Sequence, residues 1–217
     1  MPRPSRNPQE VIAVQREILD QATILISQDG VDALSMRKIA KAMNMTAANL
    51  YNYFENREEL ILYAQARGYE MLFEAMDVIF QQDLPTLEKG RAMMEQYLQF
   101  GDKHAHYYDL MFGITSPRYV DYVGTKLENI AYAQKEVALK VADIATLLIS
   151  EMGDKVYNTT MSKEEAHLYT VKVWCGLHGL VCLRHSRFLG GQEGLSSHVV
   201  KRILDDLITP LEKNLQK

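Results

Sequence analysis

Cysteine is scarce in this sequence, with two in 217 residues. That fits a reduced compartment better than a disulfide-stapled scaffold. No uninterrupted apolar run reaches the roughly 20 residues that a membrane span needs. The polar, proline-rich start MPRPSRNPQE does not read as a secretory leader. A cytoplasmic protein with no membrane partner is therefore expected. An excess of positive charge is also missing: 24 Lys and Arg face 28 Asp and Glu, for a formal net charge of −4. The chain is no polycation, so any DNA binding must be local, with acidic residues kept off the contact face. Such binding should depend steeply on salt, because phosphate contacts release counterions. No segment alternates with a period of two for long enough to make a strand, and there is no internal repeat or low-complexity block. The fold expected is all-α. Zinc-protease, nucleophile-elbow and phosphate-cradling glycine patterns are absent too, and no cofactor is expected. What is present is ordinary for a soluble protein: 47% hydrophobic and 24% charged residues.

The stretch from Ser35 to Arg57, SMRKIAKAMNMTAANLYNYFENR, reads as two short helices joined by a tight turn. Met36, Ile39, Ala40 and Met43 recur at helical spacing. Ser35 caps that helix, and Leu34 with Ile39 occupies the positions of a hydrophobic staple. Asn44 tolerates the left-handed backbone that ends it. The same grammar then repeats, with Thr46 as cap and Met45 with Leu50 as staple. The second helix carries Ala47, Ala48, Asn49, Tyr51, Asn52 and Tyr53, with Leu50 and Phe54 facing inward. Its outer side is small residues, amides and phenols. Small residues let a helix approach closely, and Asn can pair with an adenine edge in the major groove. Tyrosine hydroxyls and a capping hydroxyl suit phosphate oxygens. Lys38, Lys41 and Arg57 flank it with positive charge. Spacing alone leaves two readings open, a helix-turn-helix with a recognition helix or a helical hairpin with a solvated polar face.

Residues 9 to 62 resemble the DNA-binding domain of the tetracycline-repressor (TetR) family of transcription regulators. The likeness is carried by Gln28-Asp29-Gly30, then Leu34-Ser35-Met36-Arg37-Lys38-Ile39-Ala40, then Leu50-Tyr51-Asn52-Tyr53-Phe54, then Asn56-Arg57-Glu58-Glu59-Leu60. Asn44 stands where the family's turn usually has glycine. The resemblance implies a DNA-binding domain over 9–60, with the helix-turn-helix at about 35–54, and a ligand-binding and dimerisation domain over 61–217. It implies DNA contacts from Ser35, Lys38, Thr46, Ala47, Ala48, Asn49, Tyr51, Asn52, Tyr53 and Arg57. The function implied is a ligand-responsive regulator, by family default a repressor, that binds a palindromic operator as a dimer. The alternative is an all-helical small-molecule carrier or enzyme whose N-terminal hairpin is incidental.

Elsewhere, residues 1 to 8 with Arg3 and Arg6 read as a disordered arm, either a solvated terminus or a basic tail on DNA. A helix is expected from Gln9 to about Gln28, with the stripe Ile18, Leu19, Ala22, Leu25 and Ile26, stopped by Gly30. Asn56 with Glu59 forms a capping box, opening a long helix to about Gln82 whose weak point is Gly68. Pro85 opens the next helix, and His104 to Gly113 makes a shorter one. Ser116-Pro117 opens another that runs to Glu151, with a break near Gly124. Ser162 and Glu165 cap a helix ending near Arg187. Gly190, Gly191 and Gly194 form a loop, and Ser196 or Ser197 begins the last helix, ending near Leu215.

Methionines and aromatics on these helices either fill a core or line an apolar cavity. The family resemblance implies a cavity for a small apolar or aromatic effector, with Met71, Met94, Tyr97, Phe100, Tyr108, Met111, Phe112, Trp174 and His178 as lining candidates. Trp174-Cys175-Gly176-Leu177-His178-Gly179 also resembles a TetR subgroup with a Trp-His-Gly pattern, with extra residues inside it. The resemblance further implies a homodimer through the last two helices, where Gly176 and Gly179 would permit close approach. Cys175, His178, Cys182 and His185 lie along one helical stripe. Consecutive pairs on one helix cannot enclose a metal without a ligand from elsewhere, and the same spacing suits a helix–helix seam with small buried cysteines. No metal site is assigned from the sequence.

Overall fold

The computed structural model describes residues 7–113, 115–158, 160–186 and 195–215. Among them every regular element is helical, and the fold is all-α. The helices are α1 (Pro8–Asp29), α2 (Met36–Ala42), α3 (Ala47–Leu50), α4 (Arg57–Phe80), α5 (Thr86–Lys103), α6 (Ala105–Phe112), α7 (Glu128–Tyr157), α8 (Lys163–His185) and α9 (Ser197–Leu215). The arm Arg3–Arg6, the position Arg187 and the glycines at 190, 191 and 194 lie outside the described residues.

The chain divides into two compact units, Met1–Glu70 with His104–Ala138, and Met71–Lys103 with Leu139–Lys217. In the first, Ile18, Ala22 and Ile26 of α1 meet Ile39 and Ala40 of α2. Leu50, Phe54, the α4 residues Leu60, Ile61 and Ala64, and Leu110 of α6 complete that core. Each fully buried Ile or Leu contributes roughly 1.5–3 kcal/mol, so the stripe read from α1 anchors the hairpin. Gly68 does not interrupt α4. A Cβ there would lie 2.5 Å from Met111 Sδ and 3.1 Å from Tyr107 Cδ1, so the glycine lets α6 lie against α4.

The second unit buries Met93, Tyr97, Leu98 and Phe100 of α5 with Ile144, Leu148 and Met152 of α7, Leu177, Leu180 and Val181 of α8, and Val200 and Leu204 of α9. Two glycines set its closest approaches. A Cβ on Gly101 would stand 2.7 Å from Val181 Cγ1, and one on Gly176 2.7 Å from Leu207 Cδ2. An Arg91–Asp205 ion pair ties α5 to α9.

Several boundaries differ from the sequence reading. Residues 7 and 8, expected within a disordered arm, instead begin α1: Asn7 Oδ1 accepts from Glu10 N–H at 2.8 Å, the Glu10 carboxylate answers Asn7 N–H at 3.2 Å, and Pro8 is the first helical residue. Pro85 precedes α5, its carbonyl accepting from Lys89 N–H. The helix expected from Ser116 begins only at Glu128. Gly124 takes φ +77°, and its N–H donates to the Glu128 carboxylate at 2.8 Å. A lone 3-10 turn, Tyr119–Tyr122, precedes it. α7 then continues past Glu151 to Tyr157. In α4's cap, Asn56 Oδ1 accepts from Glu59 N–H at 2.8 Å, but the Glu59 carboxylate reaches Glu55 N–H, one residue earlier than a capping box requires.

Candidate nucleic-acid interface

The hairpin is built by local bonds. Ser35 Oγ accepts from Lys38 N–H at 3.3 Å, and Leu34 and Ile39 are buried on either side of the cap. At the other end of α2, Met45 N–H reaches Ala40 O at 2.9 Å and Asn44 N–H reaches Lys41 O at 3.2 Å. With Asn44 at φ +51°, this is a complete Schellman stop. Thr46 Oγ1 then accepts from Asn49 N–H at 3.2 Å. α3 is one turn long, and turn bonds extend it: Tyr51 N–H to Ala47 O at 3.1 Å and Phe54 N–H to Leu50 O at 3.3 Å.

Leu50 and Phe54 point inward. Ser35, Thr46, Ala48, Tyr51 and Asn52 are exposed, Tyr51 by 52%. Asn49 is half-buried. Ala47 and Tyr53 pack partly against the hydrophobic cluster, so they belong more to the anchored side than sequence spacing suggested. Lys38 is held by Asp29, Nζ to Oδ2 2.6 Å. Arg57 donates to the Val31 carbonyl and lies 3.1 Å from the Glu58 carboxylate. Both cations thus have intramolecular partners. Arg37, in the second position of α2, is exposed. It was legible in the motif but not singled out as a contact.

Behind the hairpin, α4 and α6 are joined by polar bonds. Tyr107 OH donates to Asp20 Oδ1 at 2.6 Å, and Arg67 Nε lies 3.0 Å from Tyr107 OH and 3.3 Å from Asp20 Oδ1. Burial, then the bond to Asp20, pushes the Tyr107 hydroxyl well above its usual range. Gln65 Nε2 donates to Leu110 O at 3.1 Å and to Pro117 O at 3.2 Å, and Tyr69 OH to Met111 O at 2.9 Å. The Leu110 and Met111 carbonyls are among those that the end of α6 leaves without intrahelical partners, and Pro117 lies in the loop beyond it.

The effector-lining candidates fall into one group per unit. In the first, the Tyr108 and Phe112 rings are 4.8 Å apart, with Met111 buried nearby in sequence. The second holds Met71, Met94, Tyr97, Phe100, Trp174 and His178, where Trp174 Nε1 donates to Tyr97 OH at 2.8 Å. A concavity of about 290 Å³ in the second unit is lined by Phe73, Asp77, Phe80 and Gln81 of α4 and by Lys140, Asp143, Ile144 and Leu147 of α7. None of the nine candidates lines it. Helical spacing on α4 and α7 could have suggested it, but pairing those two faces needs tertiary structure.

α8 presents Leu168, Val171, Trp174 and Leu183 to solvent. Cys175 and Cys182 are also exposed in the single chain, where a seam with buried cysteines was expected. Gly176 is spent on α9 of its own chain. Burial lowers the basicity of the His178 imidazole. His185 turns to Asp102, 3.8 Å away. Among the described residues no group of three or more His, Cys, Asp or Glu draws together as a metal site, and no helix is long and apolar enough to cross a membrane.

Two family models match the chain. "Bacterial regulatory proteins, tetR family" covers residues 18–64, and "Tetracyclin repressor-like, C-terminal domain" covers 91–207, more than half the sequence. Over 84 residues the chain is 30% identical to an uncharacterized HTH-type transcriptional regulator of Haemophilus influenzae; the match spans 39% of this chain and 45% of that one, less than half of that relative's length. The crystal structure designated SCO4313 superposes with TM-score 0.69 at 23% identity, covering 95% of this chain and 100% of that one. AibR in complex with isovaleryl coenzyme A and operator DNA does so at TM-score 0.62 and 20% identity, covering 90% and 96%. Likeness at this identity speaks to the fold.

Proposed function

The chain belongs to the tetR family of bacterial regulatory proteins, and from that membership we propose that it is a cytoplasmic transcriptional repressor. It binds a palindromic operator as a homodimer and is released by a small apolar or aromatic effector. The observation that carries this reading is the 46–54 segment, which is anchored by Leu50 and Phe54 and exposes Thr46, Ala48, Tyr51 and Asn52. Such a face can lie in a major groove, the hydroxyls on phosphates and the amides on base edges. Residues 9–60 serve as the DNA-binding part and 61–217 as the effector-binding and dimerising part. One short helix reads few bases, and two-fold symmetry doubles the site.

Release follows from differential affinity. An effector that prefers the conformation with wrongly spaced recognition helices draws the population toward it, and DNA opposes that shift by the same coupling free energy. AibR's bound isovaleryl coenzyme A makes short-chain acyl thioesters a first probe set. Enrichment from random duplex DNA is the test. A two-fold symmetric sequence is expected, with Tyr51→Ala and Asn49→Ala each weakening it, the Asn49 change by roughly 5- to 150-fold if it makes a paired base contact. Selection of no sequence at all, with both variants indistinguishable from the parent, would sink the reading.

A further inference from the structure

α8 turns two metal-ligating side chains toward each other on its outer side. His178 Nε2 and Cys182 Sγ are 3.5 Å apart, four residues apart on one helix. A tetrahedral zinc ion, with Zn–N of about 2.0–2.1 Å and Zn–S of about 2.3 Å, has an N···S edge of about 3.5 Å. The pair therefore already holds the spacing of two ligands on one ion. Two ligands do not close a structural zinc site. Among the described residues no third His, Cys, Asp or Glu joins them, and the next histidine on the stripe is beside Asp102.

What surrounds the pair points to a second copy of the chain. Leu168, Val171 and Trp174 are 51%, 37% and 44% exposed and by helical spacing fall within about 120° of one another, on the side of α8 that carries His178 and Cys182. A Cβ added to Gly179 would meet nothing within 4 Å. Exposed large apolar side chains grouped on one side of a helix mark an interaction face, and two-fold pairs are the commonest closed assembly. A two-fold axis passing beside this turn of α8 would set a second His178–Cys182 pair opposite the first.

We propose that α8 carries half of an inter-subunit zinc site, in which His178 and Cys182 of each copy together supply a Cys2His2 tetrahedron across the dimer axis. The inference rests on the reading that this helix faces a second copy. Thiolate and imidazole donors in a tetrahedral set select zinc over magnesium or calcium. Binding displaces the thiol proton of each Cys182, so two protons leave per ion at a pH where the thiols start protonated. Metal occupancy then raises the fraction of chain paired for a two-fold operator.

The test uses the full chain, reduced and stripped of metal, titrated with zinc(II) and separately with cobalt(II) while its mass is followed by sedimentation. One ion per two chains is expected, with a thiolate-to-cobalt charge-transfer band. The apparent dimer dissociation constant should tighten about a hundredfold at a free zinc concentration a hundred times its dissociation constant. His178→Ala and Cys182→Ser should each abolish the band and the tightening, and Cys175→Ser should leave both. A dimer that forms equally well with and without zinc and gives no cobalt–thiolate band overturns the site and leaves the dimer standing. A chain that stays monomeric in both conditions overturns the two together. Metal retained by His178→Ala at one ion per chain also refutes the shared site.

Discussion

At the residue scale, the candidate interface separates cations by what already holds them. The Arg57 side chain is half-buried and donates to the Val31 carbonyl. Its removal strands that acceptor, at a cost of about 1–3 kcal/mol. Arg57→Ala is therefore expected to lower the thermal midpoint. Arg37→Ala should leave the midpoint unchanged and instead flatten the salt dependence of operator binding, by about one unit of log–log slope per protomer. Thermal unfolding beside a salt series of gel shifts distinguishes the two, and the opposite pattern would mean that their roles are exchanged. This division was not legible in the sequence: Arg57 read as flanking charge, Arg37 appeared only within the family motif, and Val31 lies 26 positions from Arg57. Tyr69 offers a pH test. Burial pushes its hydroxyl up to about 12, against about 10 when unfolded. The fold favours the protonated phenol, so this stabilisation is complete below pH 10 and lost as pH rises through about 12. Tyr107 shifts in the same direction. Tyr69→Phe should reduce the loss of thermal stability between about pH 10 and 12, and an unchanged alkaline limb would assign that limb to other groups.

At the element scale, what could be read in advance is what short-range bonding decides. Ser35, Thr46 and Ser162 each accept the N–H three residues on, and Asn44 adopts the left-handed turn. These features need only neighbours along the chain. The break near Gly124 was legible from the glycine, and Gly124 does take a positive φ. The stretch from Ser116 to Leu127 was nonetheless read as helix on either side of it, because the reach of Glu128 back to Gly124 N–H does not follow from periodicity. Helix contacts across glycine were equally hidden. Gly101 faces the branched Val181 side chain, with both methyls under 3 Å from an added Cβ. Gly68 faces chiefly the flexible thioether of Met111. Overpacking a core costs about 1–3 kcal/mol. Gly101→Ala should therefore destabilise more than Gly68→Ala in chemical denaturation. Val181→Ala in the same chain should recover part of the Gly101→Ala loss, and no recovery would place the strain elsewhere.

At the scale of the whole molecule, a net charge of −4 means that attraction to DNA comes from a few placed groups. Operator affinity should fall by about 10³–10⁵ between 50 and 200 mM salt if the dimer meets 6–10 phosphates, and a flat response would remove phosphate contact from the account. The division into units has a practical side. The unit that holds the hairpin is assembled from two stretches of sequence, with 33 residues of the other unit, Met71–Lys103, threaded between them. Anyone grafting this reading head onto a foreign sensor by cutting the chain once after α4 would leave behind α6, and with it Leu110 and the Tyr107 partner of Asp20. A working chimera would need both stretches transplanted together, or a sensor spliced in as an insertion instead of an extension.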